Sequence, residues 1–152
     1  MHFFTIKTMI QNQFMQLAIK QAEIALQKNE MPVGALIIDE NNQILAKTHN
    51  LTKQNICYHA EFLAIQEALK TRKFLDKCSL YVSLEPCFMC FGAILLSRIS
   101  KIFYALDNQK YGSISNNLVN LQQTAYQMPE IYNNIGAEQS QKLLQQFFIS
   151  KR

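Results

Sequence analysis

Two short segments of this chain, His59-Ala60-Glu61 and Pro86-Cys87-Phe88-Met89-Cys90, combine residue types and spacings that could do chemistry. Cysteines three apart at a helix start share one face, and the positive end of the helix dipole favours thiolate over thiol there. Two soft anions facing one point suit a zinc ion, and His59 offers a third donor. Three protein ligands leave one tetrahedral position for water, which distinguishes a catalytic zinc site from a closed structural one. Zinc lowers the pKa of such a water to roughly 7, and Glu61 then serves as general base and afterwards as general acid. The expected centre is one Zn2+ held by His59, Cys87 and Cys90, with Glu61 as the catalytic residue.

A structural zinc site would need a fourth ligand. Cys57, two residues before His59, and Cys78, ahead of an apolar run, are the candidates. Structural sites favour paired short spacings on both sides, so both are expected to be small semi-buried hydrophobes instead. Met89 reads as core filler. His2 and His49 have no partner at ligand spacing.

These segments need elements to hold them. Apolar residues at Ile10, Phe14, Leu17, Ala18, Ala22 and Ala25 follow helical spacing up to Pro32. Val33 to Ile38 and Ile44 to Thr48, separated by turn formers, predict a hairpin. A helix from His59 to about Lys70, a strand over Leu80 to Leu84, a helix over Cys87 to Leu96 with Pro86 in its first turn, and a strand over Ile99 to Ala105 follow. Asp107 to Asn117 reads as a loop. Leu118 to Ile135 is ambiguous, with a short strand near Ile131, and Ala137 to about Ile149 is a closing helix carrying Leu143, Leu144, Phe147 and Phe148 on or near one face. Both chemical segments then open helices at strand-to-helix junctions, where open α/β sheets place ligands.

The 152 residues fit one domain, and 49% hydrophobic against 17% charged residues excludes a disordered chain. A net charge of +4 permits an RNA partner without arguing for one. Four cysteines including a Cys-x-x-Cys pair fit metal ligation in a reducing compartment better than a disulfide framework. Met1 to Ile10 lacks the pattern of a signal peptide, and no apolar run reaches the length of a membrane span. A cytoplasmic protein with no membrane association is expected.

The combination of His-x-Glu with Pro-Cys-x-x-Cys matches the known signature of zinc deaminases acting on nucleobases. Beyond it, the chain from about Phe14 to Arg152 resembles the bacterial tRNA-specific adenosine deaminases. The resemblance runs through Glu30-Met31-Pro32-Val33-Gly34-Ala35, His49-Asn50, His59-Ala60-Glu61, Leu84-Glu85-Pro86-Cys87-Phe88-Met89-Cys90, Gly92-Ala93, Ser97-Arg98-Ile99, and Phe147-Phe148 followed by Lys151-Arg152. Val33 stands where free-guanine deaminases tend to have Phe, and His59 where cytidine deaminases usually have Cys.

The resemblance implies a cytidine deaminase-like fold, a three-layer α/β/α sandwich with a mixed five-stranded sheet over residues 14–152, preceded by an N-terminal extension over 1–13 that is partly disordered. It implies hydrolytic conversion of adenosine to inosine at the wobble position of a tRNA anticodon stem-loop, by a homodimer. Asn50 would bind the flipped nucleotide, Val33, Gly34 and Ala35 would line the base pocket, and Ala60, Leu84, Glu85, Pro86 and Asp107 would border the substrate. Phe147 and Phe148 would lie near the anticodon loop. A deaminase of free guanine or another base, and a non-catalytic zinc-bearing partner subunit, are the rival readings. The chain departs from the family at Thr52-Lys53, at Tyr58, and in the Asp107 to Gly112 loop, which is one residue longer. Those loops face the RNA in the family, so they bear on fine substrate specificity.

Overall fold

A computed structural model describes residues 2–116 and 124–152, with side chains from residue 8 onward. Helix α1 (His2–Gln27) leads into strand β1 (Gly34–Ile38), which turns into β2 (Ile44–His49). Helix α2 (Ala60–Ala68), strand β3 (Ser79–Val82), helix α3 (Phe88–Ser97) and strand β4 (Lys101–Tyr104) alternate from there. Strand β5 (Glu130–Tyr132) and helix α4 (Ala137–Ser150) close the chain. Part of the ambiguous Leu118 to Ile135 segment, and Asn117 of the preceding loop, lie outside the described residues. The short strand near Ile131 is present as β5.

The five strands lie in the order β2-β1-β3-β4-β5. The β1–β2 and β1–β3 pairs are antiparallel, whereas β3–β4 and β4–β5 are parallel. A mixed sheet follows because β1 and β2 are joined by a tight turn while β3 reaches β4 through α3, as parallel neighbours require. Alternate residues leave the sheet on opposite faces. Ala35, Ile37, Leu80, Val82, Ile102 and Tyr104 meet Ala64, Ile65, Phe91 and Ile94 of α2 and α3. Leu36, Ile38, Tyr81 and Phe103 meet Met15, Ala18 and Ile19 of α1, with Leu143 of α4 packed alongside. The expected three-layer α/β/α sandwich is therefore the fold.

Helix α1 begins well before Ile10, because nothing in residues 2–9 breaks it: the stretch has neither proline nor glycine. Pro86 is not in the first turn of α3. It precedes Cys87, the N-cap of that helix. Phe147 and Phe148 do not enter the core: Phe148 is 52% exposed and Phe147 is half-buried, while Leu143 and Leu144 make the inward contacts of α4.

Gly34 fixes how closely α1 lies on the sheet. A Cβ there would run into the carbonyl oxygen of Ala18 and the amide nitrogen of Ala22, both backbone atoms that cannot swing aside. Gly34→Ala is expected to destabilise the fold by about 1–3 kcal/mol, the usual cost of overpacking, read as a lower denaturant midpoint. Among the described residues, no helix is long and apolar enough to cross a membrane.

Candidate active site

Strand direction gathers the chemical residues at one edge of the sheet. Gly34 at the start of β1 is paired with His49 at the end of β2, and Ala35 with Val82 at the end of β3, which lies beside Tyr104 at the end of β4. Asn50, Leu84 to Cys90 and Asp107 follow directly from those ends. Helices α2 and α3 start near this edge, with His59 and Cys87 as their N-caps in extended conformation. Neither N-cap side chain caps its helix by a hydrogen bond, so both are turned to another purpose.

That purpose is a triangle of donors. His59 Nδ1 is 3.5 Å from Cys87 Sγ and 3.6 Å from Cys90 Sγ. A zinc ion with ordinary Zn–N and Zn–S bonds at a tetrahedral angle separates nitrogen and sulfur ligands by roughly 3.5 Å, so the chain already holds the donors at the spacing the metal needs. These three residues are the one such group among the described residues. Cys57 is exposed, and buried Cys78 takes a long contact from Arg72 Nη1 at 3.8 Å, so neither supplies a fourth ligand to the triangle. His49 is engaged elsewhere, with Gln21 Oε1 at 3.2 Å and Lys28 Nζ at 3.3 Å.

The sulfurs differ. A hydrogen bond from the Cys90 thiol brings Cys87 down to about 4, against the opposing effect of burial and with help from His59. The same bond to Cys87, together with burial, pushes Cys90 well up, so the pair shares one proton that a metal would displace. His59 is raised, first by its hydrogen bond with Cys87. Glu61, in the first turn of α2, is 3% exposed and its carboxyl lies against Cys90. Burial pushes it up to about 7, opposed by its own backbone N–H and by His59.

Asn50 is buried, and its orientation is fixed. Its Oδ1 accepts the Ala60 N–H at 2.8 Å, satisfying a free amide at the start of α2, while its own N–H donates to the Val33 carbonyl at 3.1 Å. Thr48 Oγ1 donates to the Ala60 carbonyl at 2.7 Å, and Ser83 Oγ accepts the Gly34 N–H at 3.0 Å. Ala35 and Ala60 have fully buried side chains. Val33, Leu84 and Pro86 are also buried. Asp107 is exposed beyond β4 and accepts the Tyr104 hydroxyl.

Glu85, expected at the substrate border, is engaged within its own chain. Its two carboxyl oxygens are taken up by Asn108, Ile114 and Ser115, so it faces a loop of its own chain. No described contact of Phe147 or Phe148 reaches the donor triangle. Phe147 meets Phe148 edge-on at 5.4 Å and lies 5.3 Å from Lys151 Nζ. Sequence reasoning placed Glu30 in a motif without giving it a role: it is 4% exposed and accepts from Thr52 N, Thr52 Oγ1 and Lys53 N at 3.2, 2.7 and 3.0 Å. The available signal was a lone carboxylate immediately ahead of the apolar run into β1.

An open donor triangle on two helix starts, a buried carboxyl beside it and a three-layer mixed sheet define a zinc-dependent deaminase of nucleobases. Residues 9–106 match the family of the cytidine and deoxycytidylate deaminase zinc-binding region. The chain is 46% identical over 140 residues to a tRNA-specific adenosine deaminase of Rickettsia bellii, covering 88% of this chain and 97% of that one. It is 39% identical to the tRNA-specific adenosine deaminase of Bacillus subtilis, covering 89% and 86%. Within the zinc-dependent deaminases, then, the chain belongs to the tRNA-specific adenosine deaminases. A solved structure from work on A-to-I editing by tRNA:A34 deaminases superposes with a TM-score of 0.79 at 29% identity, covering 87% of this chain and 99% of that one. A guanine deaminase of Nitrosomonas europaea shares the fold at 18% identity, with a TM-score of 0.71.

Proposed function

We propose that the chain converts adenosine to inosine hydrolytically at the wobble position of a tRNA anticodon. The observation that carries this reading is the pairing of a three-donor triangle, with no fourth protein ligand among the described residues, with the buried Glu61 carboxyl beside it. His59, Cys87 and Cys90 hold the zinc ion, which when bound supplies Lewis-acid activation of the attacking water. Glu61 takes the proton from that water, hands it to the purine ring nitrogen, and carries a further proton to the amine that leaves as ammonia. Its burial keeps bulk water from competing for the proton. A scaffold subunit would have no use for this carboxyl.

Asn50 supplies the orienting contact. With Oδ1 held by Ala60, the Nδ2 hydrogens are the end available to an acceptor on the flipped base. Asn50→Asp keeps the acceptor for Ala60 but loses the donors, so KM for RNA is expected to rise by about ten-fold while the melting temperature moves little. Equal losses in both quantities would make Asn50 a cap and nothing more.

The working unit in this reading is a homodimer in the cytoplasm. Phe88, Gly92 and Leu96 are exposed at four-residue intervals along α3, with Phe88 at 62% and Leu96 at 67%, and such a stripe is suited to a second copy. The exposed Phe148 and Lys151 at the end of α4 offer an aromatic and a cation to the anticodon loop. Zinc-loaded protein incubated with total tRNA is expected to produce inosine in tRNA and to leave free guanine unchanged. Turnover of guanine without inosine formation would reverse the assignment.

A further inference from the structure

The segment from Asn108 to Ser115 is wrapped around one side chain. Glu85, 1% exposed, accepts the Asn108 N–H at 3.2 Å and the Ser115 hydroxyl at 2.6 Å on Oε1, and the Ile114 and Ser115 N–H groups at 2.9 Å each on Oε2. The next residue extends the seam, because the Pro86 carbonyl accepts both the N–H of Ser113 at 3.1 Å and its hydroxyl at 2.8 Å. Cys87 then pairs with Gly112 in an isolated antiparallel bridge. Gly112 has to be glycine for this closure, since a Cβ would occupy the place of the Glu85 carboxyl group.

The loop's position is thereby tied to Cys87, two residues from Glu85. At its outer end stand Lys110 and Tyr111, exposed, with Lys110 Nζ 5.2 Å from the Tyr111 ring centroid and Tyr111 60% exposed. An exposed ring with a cation beside it suits an unstacked base and its phosphate.

We propose that Glu85 is a positioning residue for substrate selection: by gathering residues 108–115 around its carboxyl, it holds Lys110 and Tyr111 at a set place beside the metal centre, where they engage an unpaired nucleotide next to the target adenosine. The inference rests on the RNA reading above. The hydrogen bonds of the Glu85 carboxyl all run to residues 108–115, and it is not one of the three metal donors. Its effect reaches the RNA through the loop, and three of its four bonds are to backbone or hydroxyl groups of Ile114 and Ser115, which no other described acceptor takes up.

The test uses zinc-loaded full-length protein and an anticodon stem-loop RNA, comparing wild type, Glu85→Gln, Tyr111→Ala and the double variant. Glutamine presents an amide nitrogen where two donors now converge, so the seam is disturbed with little change in volume. Each single variant is expected to raise KM by about ten-fold, the scale of one lost stacking contact, with kcat held within about three-fold and zinc content unchanged. The double variant is expected to be no worse than the poorer single one, because both act on the same contact. An unchanged KM in Glu85→Gln, independent multiplying effects in the double variant, or loss of zinc would each overturn the proposal. Should Glu85→Gln fail to fold, an unchanged KM in the exposed-site variant Tyr111→Ala overturns it alone. Failure of wild type to convert the RNA would instead sink the RNA reading itself.

Discussion

Replacing Glu61 by alanine is expected to lower kcat for inosine formation by about a hundred-fold to ten-thousand-fold, the range that positioned general acid–base groups supply. Zinc content should stay at wild-type level, because the three donor atoms belong to His59, Cys87 and Cys90 and the Glu61 carboxyl is not among them. The side chain is buried, so the alanine variant leaves a gap but no orphaned charge. Glu61→Gln fills the gap and still cannot shuttle a proton. The two variants should therefore be equally inactive although they differ in stability. Measured as ammonia released per RNA, substantial activity in Glu61→Gln would remove Glu61 from the proton path.

The second large effect concerns the metal. Cys87→Ala or Cys90→Ala removes one corner of the triangle, leaving two protein ligands on an ion that needs three to remain held in an open site. Zinc per chain is expected to fall from about one to near zero after dialysis, with activity falling in step. Chelation of the wild type should produce the same loss and added zinc should reverse it. Affinity should also weaken as pH falls. Binding must displace the proton that Cys90 shares with Cys87 and any proton on His59, so added protons compete with the ion. Full activity in a zinc-free cysteine variant would contradict the metal assignment.

Much of this was legible before the fold. His59, Glu61, Cys87 and Cys90 share two short segments, and local spacing alone puts each segment on a helix start. Strand β1 and the hairpin to β2 were equally plain, since a continuous apolar run followed by turn formers is a local signal. What sequence could not supply is the partner of a buried polar group far along the chain. Glu85 stands two residues before Cys87 in a motif whose resemblance implies a substrate border, and its hydrogen-bond partners lie in 108–115, beyond α3 and β4 in the chain. Glu30 and Thr52 are separated in the same way. For Phe147 and Phe148 helical spacing alone left the facing open: Leu143 and Leu144 hold the inward side of α4, and Phe148 is exposed.

The two loops that differ from the family pattern are each fastened by a buried carboxylate, Thr52-Lys53 by Glu30 and residues 108–115 by Glu85. Altered loops around an unaltered donor triangle separate two properties. In the proposed reading, α2 and α3 carry the reaction chemistry, and the segments pinned around them would set the choice of RNA.

The most direct test is position-resolved analysis of an anticodon stem-loop carrying adenosine at the wobble position, incubated with zinc-loaded wild-type protein. The expected result is inosine at that position alone, one ammonia released for each inosine formed, and no product with Glu61→Ala. Inosine elsewhere in the loop, or none with fully metallated protein, would contradict the assignment.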